Sequence, residues 1–292
     1  MRWVSLLPAA SAWFQALDRL SWLIGRSHID ETAPDVAKLP VCTRFHDEQS
    51  REPWEAFLSP LPIDVGALAA LRPDGILTSF QLAIPDIEVS SAIAALQKNL
   101  GYAVQVLSLH AQDWEGYKAV ANQVGQALKN PKTISKLMTQ AEKRRTNLLA
   151  KSAQITHDIS VLILTPEKSF AHIHAGWGAY FAPWVKLHMP PLQGPLMRWE
   201  TIVELDPEVI IVTHPEETLT QAGQRLAKWS RQPMLQTLSA YRAKRIYAMD
   251  GQKSLFSTVP DLIATAEALY EILHTPTYRF NKHLGRLWAP LL

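Results

Sequence analysis

Leu71-Arg72-Pro73-Asp74-Gly75-Ile76-Leu77-Thr78 and Leu205-Asp206-Pro207-Glu208-Val209-Ile210-Ile211-Val212-Thr213 are one phrase written twice. Each copy closes an amphipathic helix on a leucine, turns at a proline followed by an acid, and enters a short apolar run rich in β-branched residues. A run of that kind, bounded by turn residues, predicts a parallel strand buried on both faces. Two copies predict two similar α/β lobes. Between them, from Lys132 to Ile155, there is no Gly or Pro, and Ile134, Leu137, Met138, Ala141, Leu148 and Leu149 recur at helical spacing. That pattern predicts one long spine helix joining the lobes.

The remaining alternation extends outward from these anchors. Strands are expected at Trp3–Leu7, Leu23–Arg26, Ile76–Phe80, Ala103–Leu109, Ile159–Thr165, Val209–Thr213 and Arg245–Met249. Helices are expected at Val65–Leu71, Ile87–Leu100, Trp114–Leu128, Tyr180–Leu187, Glu200–Leu205, Thr218–Trp229 and Asp261–His274, with Ser11 capping the first helix. Residues 44–62 show no period and read as a long loop or lid. The fold class is therefore α/β, two Rossmann-like lobes with parallel sheets joined by one long spine helix. The expected division is 1–128, spine 129–155, 156–275 and a C-terminal tail 276–292. In such sheets a ligand sits beyond the carboxyl ends of the strands.

Composition sets bounds on function. At 292 residues with 47% hydrophobic and 19% charged content, the chain has material for two cores. A net charge of +2 gives no footprint for nucleic acid. The single cysteine, Cys42, allows no internal disulfide. No apolar run approaches the length of a membrane span. Met1 to Ala12 has one positive charge and an apolar stretch interrupted by Pro8, so it reads as a strand and helix and not as an export signal.

The segments Val4-Ser5-Leu6-Leu7-Pro8-Ala9-Ala10, Gly25-Arg26-Ser27-His28, Leu39-Pro40-Val41-Cys42-Thr43-Arg44, Leu71-Arg72-Pro73-Asp74 and Arg245-Ile246-Tyr247-Ala248-Met249-Asp250-Gly251 stand in an order and spacing that carry a resemblance. The chain resembles the cobalamin-type, helical-backbone (class III) periplasmic substrate-binding proteins of ABC importers, from about Arg2 to about Thr275. The resemblance implies a monomeric, non-enzymatic receptor in the periplasm, with no cofactor of its own, that takes cobalamin or another corrinoid in an interlobe cleft and hands it to a permease. Two alternatives stay open: a ferric siderophore or haem receptor, and a cytoplasmic metal- or tetrapyrrole-handling protein or enzyme uncoupled from transport.

The chain departs from this family at telling places. Where relatives carry cysteines after the Ser-His pair and after the Pro-Asp strand, it has Ile29 and Ser79-Phe80-Gln81-Leu82-Ala83-Ile84-Pro85, which removes thiolate chemistry. The aromatic cleft positions of cobalamin receptors hold Ile29, Arg44, Ser79 and Gly194. One glutamate per lobe docks such proteins on permease arginines. Glu200 matches in the second lobe, but the first-lobe position is Gly66, with Asp64 two residues earlier, and either acid also suits a helix cap.

The expected ligand contacts are His28, Phe45, Phe80 and Gln81 from the first lobe and His174, Trp177, Trp199 and Phe256 from the second, on loops that include the one around Ala9. Trp177, Tyr180, Phe181 and Trp184 form an aromatic run that suits either a core helix or stacking on a flat ligand. His172-Ile173-His174 alternates so that both imidazoles face one side, a spacing able to chelate zinc or iron. No nearby carboxylate or cysteine completes a site, so no metal is assigned. A Gly-rich phosphate loop, a nucleophile elbow and a HExxH motif are all absent from the sequence.

Overall fold

The computed structural model describes residues 1–30, 33–44, 51–82, 84, 86–190, 194–254, 260–275 and 281–291. The chain divides into two compact units, Met1–Met138 with Thr258–Pro260 and Thr139–Ser257 with Asp261–Leu292. The division falls inside the helix Pro131–Ser152, which runs unbroken for 22 residues, about six turns. Proline at its start has no amide hydrogen to lose and a φ already suited to a helix.

In the first unit, β1 (Trp3–Ser5), β2 (Leu23–Gly25), β3 (Gly75–Thr78) and β4 (Gln105–Ser108) form a sheet in the order β2-β1-β3-β4. Every pairing is parallel. The first Pro-acid phrase makes its centre. The helix Val65–Leu71 ends on Arg72 in the left-handed region, φ 45°. Asp74 Oδ2 then accepts the Arg2 amide at 2.7 Å, which fixes the entry of β1 beside β3. The Trp3 ring lies over Gly75, where a Cβ would come within 2.5 Å of it.

Two expectations fail in this unit. Helix Pro8–Ala16 starts at Pro8 with Leu7 as its N-cap, and Ser11 sits inside it, donating its hydroxyl to the buried carboxylate of Asp30. The proline supplied the start signal, and the serine serves a tertiary contact. The expected loop contains the helix Pro53–Leu58. Glu55 of that helix is buried and accepts the Ile63 amide at 2.7 Å, while Arg51 donates to the carbonyls of Glu55, Ser59, Pro60 and Leu61. Side-chain-to-backbone bonds of this kind leave no periodic trace.

In the second unit, β5 (Ile159–Pro166), β6 (Phe170–Ile173), β7 (Leu187–His188), β8 (Leu196–Arg198), β9 (Val209–Val212), β10 (Ile246–Met249) and β11 (Trp288–Pro290) form a sheet in the order β11-β10-β9-β5-β6-β8, with β7 on β5. The β7, β5, β9 and β10 pairings are parallel, whereas β5–β6, β6–β8 and β10–β11 are antiparallel. This sheet thus keeps the expected parallel centre and adds antiparallel strands at its margins. Only residues 167–169 separate β5 from β6, enough for a hairpin and far short of a parallel crossover.

The second phrase repeats the first in detail. Helix Trp199–Leu205 ends on left-handed Asp206, φ 37°, and Glu208 Oε2 accepts the Ser160 amide at 2.9 Å, fixing the entry of β5 beside β9. Residues 281–291 are not an appended tail. Trp288 is fully buried and donates its indole N–H to Glu271 at 2.9 Å. His283 Nε2 meets Glu267 at 2.9 Å, and Arg144 donates to both Glu267 oxygens and to Asp261. No helix among the described residues is long and apolar enough to cross a membrane.

Candidate functional site

The carboxyl ends of the parallel strands carry the polar groups expected of a binding edge. In the second unit, Thr165 near the end of β5 donates its hydroxyl to the carbonyl of Thr213, just past β9, at 2.5 Å. The same oxygen lies 2.9 Å from His174 Nε2. A hydroxyl has one proton, so Nε2 must donate, and the neutral imidazole keeps a lone pair on Nδ1. Burial pushes the His174 pKa down to about 4, helped by repulsion from His214 and His172 and opposed by the Thr213 backbone bond. His174 is therefore neutral at physiological pH. Among the described residues, its Nδ1 has no hydrogen-bond partner.

His214 follows β9. Its Nδ1 accepts the Glu216 amide at 3.2 Å, and its pKa is lowered, chiefly by burial, against the pull of Glu217 and Glu216. Arg225 holds this loop to the end of β5. Its guanidinium donates to both Glu217 oxygens and to the Pro166 carbonyl. Gly251, after β10, packs so tightly that a Cβ there would lie 1.8 Å from the His214 carbonyl oxygen. Imidazole chemistry is thus mounted on a rigid edge.

The first unit's edge is built of hydroxyls and one aromatic pair. Arg26 pins the loop after β2 by donating to the carbonyls of Ser27, His28, Asp30 and Ala37. The His28 amide donates to Thr43 Oγ1 at 2.8 Å, and its Nδ1 lies 2.7 Å from the same atom. Ser108 Oγ accepts the amides of Phe80 (2.9 Å) and His110 (3.1 Å), which ties together the loops after β3 and β4. Among the described residues, the buried His110 Nε2 has no hydrogen-bond partner, and burial lowers its pKa. The fully buried Ser27 hydroxyl likewise has none among them.

The residues expected from sequence fall unevenly on these edges. His28 and Gln81 are partly buried at the first edge, Gln81 donating its side-chain amide to the Ser79 carbonyl at 2.9 Å. Phe80 is 7% exposed and packs on Phe57 at 5.7 Å. Ala9 is buried in a helix. Trp199 is taken up by the core: it is 4% exposed, its ring lies tilted against Trp229 at 4.9 Å, and it donates its indole N–H to the Glu167 carbonyl. Its ring packs in the core of the second unit. Trp177 lies in the first turn of helix Ala175–Val185. Phe45 and Phe256 lie outside the described residues. Asp64 caps helix Val65–Leu71 through the Ala67 amide at 2.9 Å, whereas Glu200 is exposed in the first turn of its helix.

Sequence reasoning missed Thr165, His214 and His110. A signal for His214 was present, since both Pro-acid phrases end on a threonine and the next residue, Ser79 or His214, enters the edge.

Comparison with known proteins bears on this arrangement. A model of the periplasmic binding protein family matches residues 4–253. No curated protein sequence matches the chain. Among solved structures it is similar to a periplasmic heme-binding protein from Pseudomonas aeruginosa, with a TM-score of 0.71 and 18% identity over 99% of this chain and 97% of that one. It is also similar to the periplasmic vitamin B12-binding protein BtuF of Vibrio cholerae, with a TM-score of 0.67 and 16% identity over 93% and 95%. The heme-binding protein HutB of Vibrio cholerae aligns with a TM-score of 0.63 and 18% identity over 94% and 99%. With one matched model covering residues 4–253 and so spanning both units, the chain belongs to the periplasmic binding protein family.

Proposed function

We propose that this protein is the extracytoplasmic receptor of an ABC importer and that its ligand is a metal-bearing tetrapyrrole, corrinoid or haem, whose metal takes the Nδ1 lone pair of His174. One observation carries the reading. His174 is neutral, Thr165 and the Thr213 backbone hold its ring, and among the described residues no hydrogen bond falls on its Nδ1. That is the form in which imidazole binds a transition metal, with a hydrogen bond on the far nitrogen setting tautomer and basicity. Cobalt in a corrinoid and iron in haem both accept such a ligand.

A ferric siderophore brings iron already surrounded by its own oxygen donors, so the imidazole would add nothing to it. The neighbours named for heme and vitamin B12 lend support to the tetrapyrrole class without separating its members. His28, Phe80, Gln81 and Trp177 are proposed as further contacts, each to be tested on its own. Docking on the permease is assigned to Glu200, whose carboxylate makes no ion pair among the described residues; Asp64 is already engaged as a cap.

The test is an absorption titration of the purified protein with haemin and, separately, with aquocobalamin. One of them is expected to bind with a spectral change typical of imidazole ligation. His174→Ala should abolish that change and weaken binding by tenfold or more, roughly the 1–3 kcal/mol of a well-placed polar anchor. Binding of neither ligand, or an unchanged spectrum in the variant, would remove the proposal. Glu200→Arg should leave this titration untouched and abolish permease binding.

A further inference from the structure

The second unit has a cavity of about 630 Å³ that the carboxyl edge does not reach, lined by Gln236, Tyr241, Arg242, Lys244, Ile246 and Leu291. Ile246 opens β10, whereas the edge described above begins after Met249, at the other end of the same strand. Four residues of strand separate the two regions by about 13 Å.

The lining splits by chemistry. Its floor is apolar and rigid. Ile246 is 1% exposed, Tyr241 and Leu291 pack against the same core, and the Leu291 amide donates to the Ile246 carbonyl at 2.9 Å. Its mouth is cationic. Arg242 and Lys244 are exposed, and among the described residues neither makes a side-chain ion pair or hydrogen bond. The nearby acid, Asp206, accepts the Ser239 amide at 2.7 Å and the Ser239 hydroxyl at 2.5 Å, and feels the Arg242 charge without forming an ion pair with it. Arg245 is also occupied, donating to the Leu273 carbonyl at 3.0 Å.

Lys244 is held in place by an unusual backbone. It has φ 56°, in the left-handed region where glycine or asparagine is the ordinary choice. Its amide donates to the Tyr241 carbonyl at 3.0 Å, and the next amide, of Arg245, donates to Ala240 at 2.7 Å. These bonds close the turn after helix Ser239–Arg242 and set the lysine two residues from the arginine at the mouth of the cavity.

We propose that this cavity is a second binding site, for a small amphiphilic carboxylate. The apolar body would lie on Ile246, Leu291 and the Tyr241 ring, and the carboxylate would be taken by Arg242 and Lys244, with Gln236 and the Tyr241 hydroxyl as further donors. A guanidinium accepts a carboxylate through two parallel hydrogen bonds, and an ammonium beside it adds charge without geometric demand. The described residues lining the cavity include no acid to receive a cation, and a wholly apolar guest would leave the Lys244 ammonium without a partner. The volume is within the range of small-molecule sites.

The probes are octanoate, octanamide and inorganic phosphate, followed by calorimetry and by saturation-transfer NMR on the full chain. Octanoate is expected to bind with a Kd on the order of millimolar or below, in line with the modest yield per atom of small ligands. Octanamide and phosphate should each bind at least tenfold more weakly. The Arg242→Gln, Lys244→Gln double variant, altered only at exposed side chains, should lose tenfold or more for octanoate and keep its thermal unfolding midpoint. No binding of octanoate would overturn the proposal, as would equal binding of acid and amide, equal binding of phosphate, or an unchanged double variant. A haemin or aquocobalamin titration in the presence of saturating octanoate should be unaltered, so this site stands or falls apart from the tetrapyrrole reading.

Discussion

The two copies of the Pro-acid phrase fold alike to the level of single hydrogen bonds, and the loops that follow them do not. Each is preceded by a seven-residue helix, Val65–Leu71 or Trp199–Leu205, that ends on a non-glycine residue in the left-handed region. Each acid locks the first residues of the neighbouring strand, Asp74 on Arg2 and Glu208 on Ser160. Each enters a four-residue strand buried throughout. Beyond the strands the first copy leads into Ser79, Phe80 and the Ser108 bridge, whereas the second leads into Thr213, His214 and the Thr165–His174 pair. The comparison teaches that scaffold contacts are held in common and edge chemistry is where the units diverge. A fold of this kind allows that, because loops at strand ends can change without disturbing the parallel ladder.

The largest effect should come from crowding the second edge. Gly251→Ala places a methyl against the backbone carbonyl of His214, which no side-chain rotation can relieve. It should destabilise by about 3 kcal/mol or more. Gly75→Ala, in the first copy, meets the Trp3 ring at 2.5 Å and should cost about 2–3 kcal/mol, since a ring can shift where a backbone cannot. Denaturant unfolding of both variants tests the order. A Gly75 variant less stable than the Gly251 variant would reverse it.

A second contrast is acid sensitivity. Hydrogen bonds from His283 and Arg144, with the charges of Arg144 and Lys282, hold the Glu267 carboxyl well below the usual carboxylate range despite the opposing effect of burial. Its folded-state pKa is depressed, so its contribution is fully present above the unfolded value of about 4.3 and is lost as pH falls toward the folded one. Arg144→Ala should cost about 1–2 kcal/mol at pH 7, a figure discounted for the partial exposure of both partners. Unfolding midpoints followed from pH 7 to pH 3 should fall more steeply in wild type than in Glu267→Gln. Parallel curves would mean the network carries no linked stability.

Legibility in the sequence followed the range of the interactions. Helix Val65–Leu71 was read to the residue, and Thr218 and Asp261 were read as starting positions where the structure has them as N-caps. Those signals are local: periodicity, a cap, a turn. Strand Trp288–Pro290 was not legible, because three residues become a strand only by pairing with β10 and burying Trp288 on Glu271. The candidate site was half legible. His28 and His174 were named from their position and neighbours. What makes His174 distinctive, a proton donated to Thr165 and a neutral ring, depends on residues nine positions away and on Thr213, 48 beyond Thr165. The packing of Trp199 on Trp229 was not legible, because an aromatic at a helix start looks the same in sequence whatever it faces.

The smallest expected effect probes the shared lock itself. Asp74→Ala removes the acceptor for the Arg2 amide, and Glu208→Ala removes the acceptor for the Ser160 amide. Both bonds are charge-assisted but solvent-exposed, so water replaces most of what is lost and each variant should cost about 1 kcal/mol. The first copy has one reserve, since Arg2 also donates its side chain to the Leu71 carbonyl at 2.8 Å. Asp74→Ala should therefore be slightly the milder of the two. The sites lie in separate units and share no partner, so the double variant should show the sum within about 0.5 kcal/mol. If Glu208→Ala is destabilising and Asp74→Ala is neutral even when Arg2→Ala is added, the two phrases share a sequence pattern without sharing its mechanical role.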